Sequence, residues 1–161
     1  MLKIREIKEK DVAEIQKLAL ESWLYAYRKI YTREKIHKFV SHYYSNKSFK
    51  DVFQNIEEQN EEFIVALDKG RIIDYSNIGK IKNEWELLRI YVSPKMAGIG
   101  IGTILLKNNE KFLNFRNIKN YTAYPHSKNK IAVNFYLKSG FKREKSKDIS
   151  KTSICFEKKL K

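Results

Sequence analysis

The chain has 161 residues, 42% hydrophobic and 32% charged, and its 33 Lys and Arg outnumber 19 Asp and Glu for a formal net charge of +14. That length suits a single domain, residues 1–161, with a core of its own, and the mixture of apolar and charged residues excludes a disordered chain. No apolar run reaches the roughly 18 residues of a membrane span, Met1-Leu2-Lys3-Ile4-Arg5 lacks a signal-peptide core, and the one cysteine, Cys155, cannot form an internal disulfide.

Leu2-Lys3-Ile4-Arg5-Glu6-Ile7 alternates as a strand does. Asp11 with Glu14 three residues on reads as a capping box, and Val12, Ile15, Leu18, Ala19 and Trp23 give the helix behind it one apolar stripe. Thr32 is placed to cap a second helix carrying Ile36, Phe39, Val40 and Tyr43. Ser48 with Asp51 reads as another capping box, ahead of Phe49, Val52, Phe53 and Ile56. The period then shortens: Phe63–Leu67 is a strand, Asp68-Lys69-Gly70 a turn and Arg71–Tyr75 the returning strand. A polar link containing Gly79 leads to a strand from Trp85 to Val92. After a glycine-rich turn come a helix from about Thr103 to Phe115 and a strand over Tyr121–Tyr124. A helix over Asn129–Ser139 stops at Gly140, and Phe141 onward pairs with Thr152–Glu157. Cys155 falls on that last strand and is expected to be a buried, inert thiol in a cytoplasmic protein.

The glycine-rich turn is the most informative stretch. Glycines at a helix start bare backbone N–H groups, and with the helix dipole these make an anion site. The triphosphatase loop needs Gly-Lys-Ser/Thr, which the chain lacks. The dinucleotide fingerprint is met by Gly98 and Gly100 but fails at Thr103. Ala97-Gly98-Ile99-Gly100-Ile101-Gly102, following Tyr91-Val92-Ser93-Pro94, resembles instead the coenzyme A loop of the GNAT superfamily of N-acetyltransferases, Gln/Arg-x-x-Gly-x-Gly/Ala. Ala97 departs from the usual Gln or Arg, which removes a polar side chain but leaves the backbone donors. The segment from Asn129 through Ala132, Phe135 and Tyr136 to Gly140-Phe141 resembles that family's Asn-x-x-Ala-x-x-Phe-Tyr-x-x-x-Gly-Phe without a gap.

The resemblance implies an α/β (α+β) GNAT fold. Its centre is a mixed, mostly antiparallel, twisted sheet of six to seven strands with a splayed strand 4/5 pair, flanked by about four to five helices. It implies acetyl-CoA as co-substrate and direct attack of an amine on the thioester. By correspondence, the backbones of Ile90, Tyr91 and Val92 hold the pantetheine arm, and residues Ala97, Gly98, Ile99, Gly100, Ile101, Gly102 and Thr103 hold the pyrophosphate. Asn129 either contacts the coenzyme or caps its helix. Tyr136 aligns with the tyrosine that protonates the leaving thiolate. Glu86 stands where some members carry a general base, with Glu84 on the same face of the strand; the alternative is a solvated strand-end pair.

The acceptor is less defined. The N-terminal third most resembles the subgroup of PaiA-type polyamine acetyltransferases, so a small amine or polyamine is expected. The alternatives are a protein α- or ε-amine, or a coenzyme-binding regulator without turnover. Glu57, Glu58, Glu61, Glu62, Glu84 and Glu86 are candidates for an acidic lip around a cationic acceptor, or for plain solvated helix and strand ends. Trp23, Tyr27 and Tyr31 line an acceptor pocket or belong to the core. His37, His42 and His126 lack ligand spacing, so no metal is expected. The lysines are dispersed, with no basic block or nucleic-acid module, so neither nucleic acid nor membrane is expected as a partner, and a homodimer is left open.

Overall fold

The computed structural model describes residues 1–91, 93–96 and 98–161. All twelve expected elements form, in the expected order: β1 (Lys3–Glu6), α1 (Val12–Tyr27), α2 (Arg33–Tyr43), α3 (Asn46–Glu57), β2 (Glu61–Asp68), β3 (Arg71–Ile81), β4 (Glu84–Tyr91), α4 (Ile101–Phe115), β5 (Asn120–Ala123), α5 (Lys130–Lys138), β6 (Lys142–Arg143) and β7 (Phe156–Lys159). The strands build one seven-stranded sheet in the order β1-β2-β3-β4-β5-β7-β6. Every pairing is antiparallel except β4 with β5, which α4 connects as a parallel crossover. Among the described residues no helix is long and apolar enough to cross a membrane.

Two expected helix caps are displaced, both by stronger local partners. The Asp11 carboxylate is taken by the Arg5 guanidinium at 2.7 and 3.0 Å, and it caps the short turn before α1 by accepting Lys8 N–H at 2.7 Å. A charged, bidentate pair outcompetes a neutral cap. Glu14 accepts Ile72 N–H at 3.1 Å instead of closing the box. The third helix begins at Asn46, because Ser45 Oγ accepts Ser48 N–H at 3.0 Å. Thr32 caps α2 as expected, accepting Lys35 N–H at 3.2 Å.

The expected polar link around Gly79 is strand. β3 runs unbroken to Ile81, and the buried polar side chains of Ser76 and Asn77 in this stretch are satisfied within the protein. Ser76 Oγ donates to Asn109 Oδ1 at 2.5 Å, and Asn77 Nδ2 donates to Glu61 Oε1 at 2.7 Å. Gly79 is required by close approach: a Cβ there would meet Leu88 Cδ1 at 2.7 Å.

Alternation along β2 divides the core. Phe63 and Val65 pack with Ile15, Ala19, Ile36, Val40, Phe49 and Val52 of the first three helices. Ile64 and Ala66 face Ile101 and Leu105 of α4. Further along the sheet, Leu106 and Leu113 of α4 cover Ile78, Leu87, Tyr121 and Ala123. Cys155, just before β7, is fully buried, as expected of an inert thiol.

Two irregularities set up the site. The β3–β4 register passes from Asn77↔Arg89 to Ile78↔Leu87, leaving Leu88 as an extra, bulged residue. β4 pairs with β5 only at Glu86↔Thr122 and Leu87↔Ala123. β5 ends at Ala123, with Pro125 close behind and no N–H to offer. β4 continues alone to Tyr91, and the two strands part as the resemblance implied.

Candidate active site

The parting opens into a cleft of about 640 Å³. It brings together Ile90, Gly98, Gly100, Ile101, Gly102, Thr103, Asn129 and Tyr136, all expected at the site, with Ser22, Tyr25 and Ala26 of α1 and Lys138 of α5. Three expected residues stand apart from it. The Tyr91 ring is buried on the far face, stacked on Tyr75 at 5.6 Å, so only its backbone is available to the cleft. Ile99 is 64% exposed and lines no part of it. Glu86 lies behind the cleft, half-buried. Val92 and Ala97 are outside the described residues.

The loop is an anion cradle made of main chain. Gly98 and Gly100 both hold φ of +85°, and a Cβ at either would meet nothing within 4 Å, so conformation and not crowding demands glycine. Gly100 is the N-cap of α4 and brings no capping side chain. The first helical bond runs from Ile104 N–H to Gly100 O at 3.1 Å. The N–H groups of Ile101, Gly102 and Thr103 therefore lack intrahelical partners, at the positive end of a 15-residue helix. Behind the loop, the fully buried Asp74 accepts Ser93 N–H at 2.9 Å through Oδ1, while Oδ2 has no partner among the described residues. Burial pushes its carboxyl up to about 6.

Tyr136 is held rigidly. α5 ends in a Schellman closure, Phe141 N–H to Tyr136 O at 3.0 Å and Gly140 N–H to Leu137 O at 3.2 Å. The Tyr136 ring packs on Phe141 at 5.2 Å. Burial first, then the nearby Tyr27 and Glu86, raise the phenol well above its ordinary value, so it is protonated at neutral pH. At the other end of α5, Asn129 Oδ1 accepts Ala132 N–H at 3.2 Å and so caps the helix while lining the cleft. Burial, and secondly Glu84, push Glu86 up to about 7. Glu84 itself is exposed and pairs with Lys147 at 3.6 Å.

A second cavity of about 220 Å³ lies beyond, lined by Trp23, Tyr27, Tyr31, Phe39, Tyr43, Tyr124, His126, Thr152 and Ser153. The first three are the aromatics for which pocket and core were both open; they line the pocket half-buried and also pack against the core. The two cavities are neighbours. Ala26, in the lining of the first, precedes Tyr27, in the lining of the second, and the charge of Glu86 acts on both Tyr124 and Tyr136. His126 Nδ1 accepts Lys128 N–H at 3.1 Å, so the neutral ring carries its proton on Nε2. Phe39, Tyr43, Tyr124 and His126 were not assigned to a site from sequence. Phe39 and Tyr43 did show the i, i+4 spacing of one helix face, while Tyr124 and His126 gave no signal.

The acidic lip does not form. Consecutive residues of a strand point to opposite faces: Glu61 is buried on Asn55 and Asn77, whereas Glu62 accepts from Asn109 at 2.7 Å. Among the described residues no group of three or more His, Cys, Asp or Glu is placed to hold a metal ion.

Known proteins resemble this one along its length. The acetyltransferase (GNAT) domain family matches residues 27–158. The spermidine N(1)-acetyltransferase of Thermoplasma acidophilum is 30% identical over 159 residues, 98% of this chain and 97% of its own. The uncharacterized N-acetyltransferase YuaI of Bacillus subtilis is 27% identical over 118 residues, 70% of this chain and 65% of its own. A crystal structure of the PaiA N-acetyltransferase from Thermoplasma acidophilum in complex with coenzyme A matches with a TM-score of 0.92 and 28% identity over 99% of both chains. A GNAT-family acetyltransferase from Staphylococcus aureus Mu50 shares the fold at a TM-score of 0.80 and 17% identity over 100% of both chains. With the parted β4 and β5, the glycine cradle and these relatives in agreement, the chain belongs to the GNAT family and is an acetyl-CoA-dependent N-acetyltransferase.

Proposed function

We propose that the enzyme acetylates a primary amine of a small amine or polyamine by direct attack on acetyl-CoA. The observation that carries this reading is the adjacency of two cavities. The glycine cradle, with Tyr136 in its lining, opens on one side and an aromatic pocket, with Tyr124 in its lining, on the other; Glu86 lines neither but its charge acts on both phenols. The backbone N–H groups of the loop from Ala97 to Thr103 hold the pyrophosphate. The free edge of Ile90, Tyr91 and Val92 holds the pantetheine arm, and one of its N–H groups faces the developing oxyanion.

The amine enters from the aromatic side. Glu86, with a carboxyl near 7, takes a proton from the incoming ammonium, directly or through water. The freed nitrogen attacks the thioester carbon, the C–S bond breaks, Tyr136 gives a proton to the departing sulfur, and the second proton shed by the nitrogen restores the phenol. A phenol raised by burial is a weak acid, so this transfer depends on a thiolate that is equally short of water. His126 is excluded as the base because its Nδ1 is already occupied. The naming of a Thermoplasma acidophilum relative as a spermidine N(1)-acetyltransferase supports the acceptor class.

The test is release of free coenzyme A thiol from acetyl-CoA over a panel of spermidine, spermine, butane-1,4-diamine, butylamine, and peptides with free α- or ε-amines. Turnover highest with the small amines is expected. Preference for a peptide would move the acceptor to protein. Calorimetric binding of coenzyme A without thiol release from any acceptor would make the chain a regulator.

A further inference from the structure

Resting on that reading of the acceptor, the pocket itself indicates how a polyamine is recognised. We infer that Trp23, Tyr27, Tyr31, Phe39 and Tyr43 form an aromatic cage for the non-reacting ammonium of a di- or polyamine, and that Lys35, beside the cage and outside its lining, competes with this ammonium for the rings.

The rings form a connected set. Trp23 meets Tyr27 at 4.7 Å, Phe39 at 5.9 Å and Tyr43 at 6.2 Å between centroids, while Tyr31 meets Tyr27 at 5.8 Å and Phe39 at 5.3 Å. A cluster serving only as core would close over its faces; this one surrounds open volume and stays half-buried or exposed. No carboxylate lines the pocket, so a cation there is held by the negative faces of the rings. An anion would meet those same faces, with neither a lysine nor an arginine in the lining. Burial, and secondly Lys128, hold His126 below its ordinary value, so at neutral pH its ring adds no opposing charge.

Just outside the lining, the chain itself shows what two of these rings attract. The Lys35 ammonium lies 4.8 Å from the Tyr31 ring centroid and 5.7 Å from that of Phe39. Among the described residues no carboxylate pairs with it, so the rings are its only visible attraction. Lys35 is exposed at the first turn of α2 and can swing into water at little cost. An ammonium that a propyl or butyl chain tethers to the reacting amine would meet the same rings from inside the pocket, opposed by the Lys35 charge beside them. Recognition by ring faces also suits a chain of net charge +14, in which a carboxylate-lined funnel is missing. Such a cage selects acceptors carrying a second cation and discriminates against monoamines.

The experiment is calorimetric titration of spermidine into the full-length protein saturated with coenzyme A, for the parent and for Tyr31→Leu, Tyr31→Phe and Lys35→Met. Tyr31→Leu is expected to weaken spermidine about five- to tenfold. Tyr31→Phe, which keeps the ring face, should stay within about twofold of the parent, and Lys35→Met should bind about threefold tighter. No spermidine heat in the parent, equal affinity in all four proteins, or Tyr31→Phe falling as far as Tyr31→Leu would overturn the cage. Unchanged or weaker binding by Lys35→Met would overturn competition from the lysine. Thiol release reports separately on the acceptor reading: spermidine bound in the cage but never acetylated would end that reading and leave the cage standing.

Discussion

The two cavities are made of different material. On the coenzyme side the binding groups are main-chain amides, and what distinguishes the sequence there is side chains left out: Gly98 and Gly100 at positive φ, with an uncapped helix start behind them. On the acceptor side the wall is side chains alone, gathered from α1, α2, the end of β5 and the segment before β7. A backbone site tolerates almost any residue that keeps the path of the chain, which is how Ala97 can stand where the family has Gln or Arg. A side-chain site changes its ligand with each substitution. One half of this enzyme is therefore expected to be generic and the other particular.

That contrast can be broken at its hinge first. Tyr136→Phe keeps the packing on Phe141 and Phe156 but removes the proton donor; kcat should fall about 100-fold, with KM for acetyl-CoA within about twofold. Comparable losses in kcat and in coenzyme affinity would make Tyr136 a wall of the cleft and nothing more. Glu86→Gln should lower kcat/KM for the amine by roughly 30- to 100-fold at pH 8. The sign of its pH dependence follows from the raised carboxyl. The base is present only when ionised, so the parent rate should climb as pH passes about 7, and that limb should vanish in the variant. An intact limb would move the base elsewhere.

A substitution on the coenzyme side should leave the acceptor side untouched. Gly100→Val forces a β-branched residue to +85°, and coenzyme A should bind about tenfold more weakly by calorimetry while the spermidine affinity of the coenzyme-free protein is unchanged. Loss of both affinities would show that the cavities do not act independently. The smallest effect concerns Asp74. Its folded pKa, near 6, lies above the unfolded 3.8, so the folded state binds the proton more tightly and stability declines as pH rises from about 4 to 6. Asp74→Asn should abolish that decline and gain on the order of 2 kcal/mol at pH 7.5, read from urea melts. It should also tighten coenzyme A by about two- to threefold, because one negative charge is gone from behind an anion site. A melt with the parent's pH slope would contradict this.

The parts legible in the sequence were those governed by local rules. Stripes such as Ile15/Ala19 and Ile36/Val40, the Thr32 cap and the stop at Gly140 depend on neighbours a few residues away, and they formed as expected. Caps failed where a distant group intervened, as Arg5 does at Asp11. The Ser76–Gly79 stretch reads as polar because its partners, Asn109, Glu61 and Arg89, are remote in sequence and satisfy it only once folded. The acidic lip failed on parity, since adjacent glutamates on a strand cannot share a face. In the site, Tyr136 and the glycines stood out through their motifs. Tyr124 and His126 are single residues between elements and become visible only when β5 and α1 are brought together.

Leu88 carries a consequence for how the groove stays open. By adding one residue to β4 but none to β3, it places a bulge just beyond the last residue of β4 that pairs with β5. Excision of that single leucine would leave Leu87 and Ile90 on one face and Arg89 and Tyr91 on the other. The straightened strand could then zip further along β5. The sheet would be more regular and its interior unchanged, yet the slot for an acyl carrier would be sewn shut: a well-folded protein blind to its own donor.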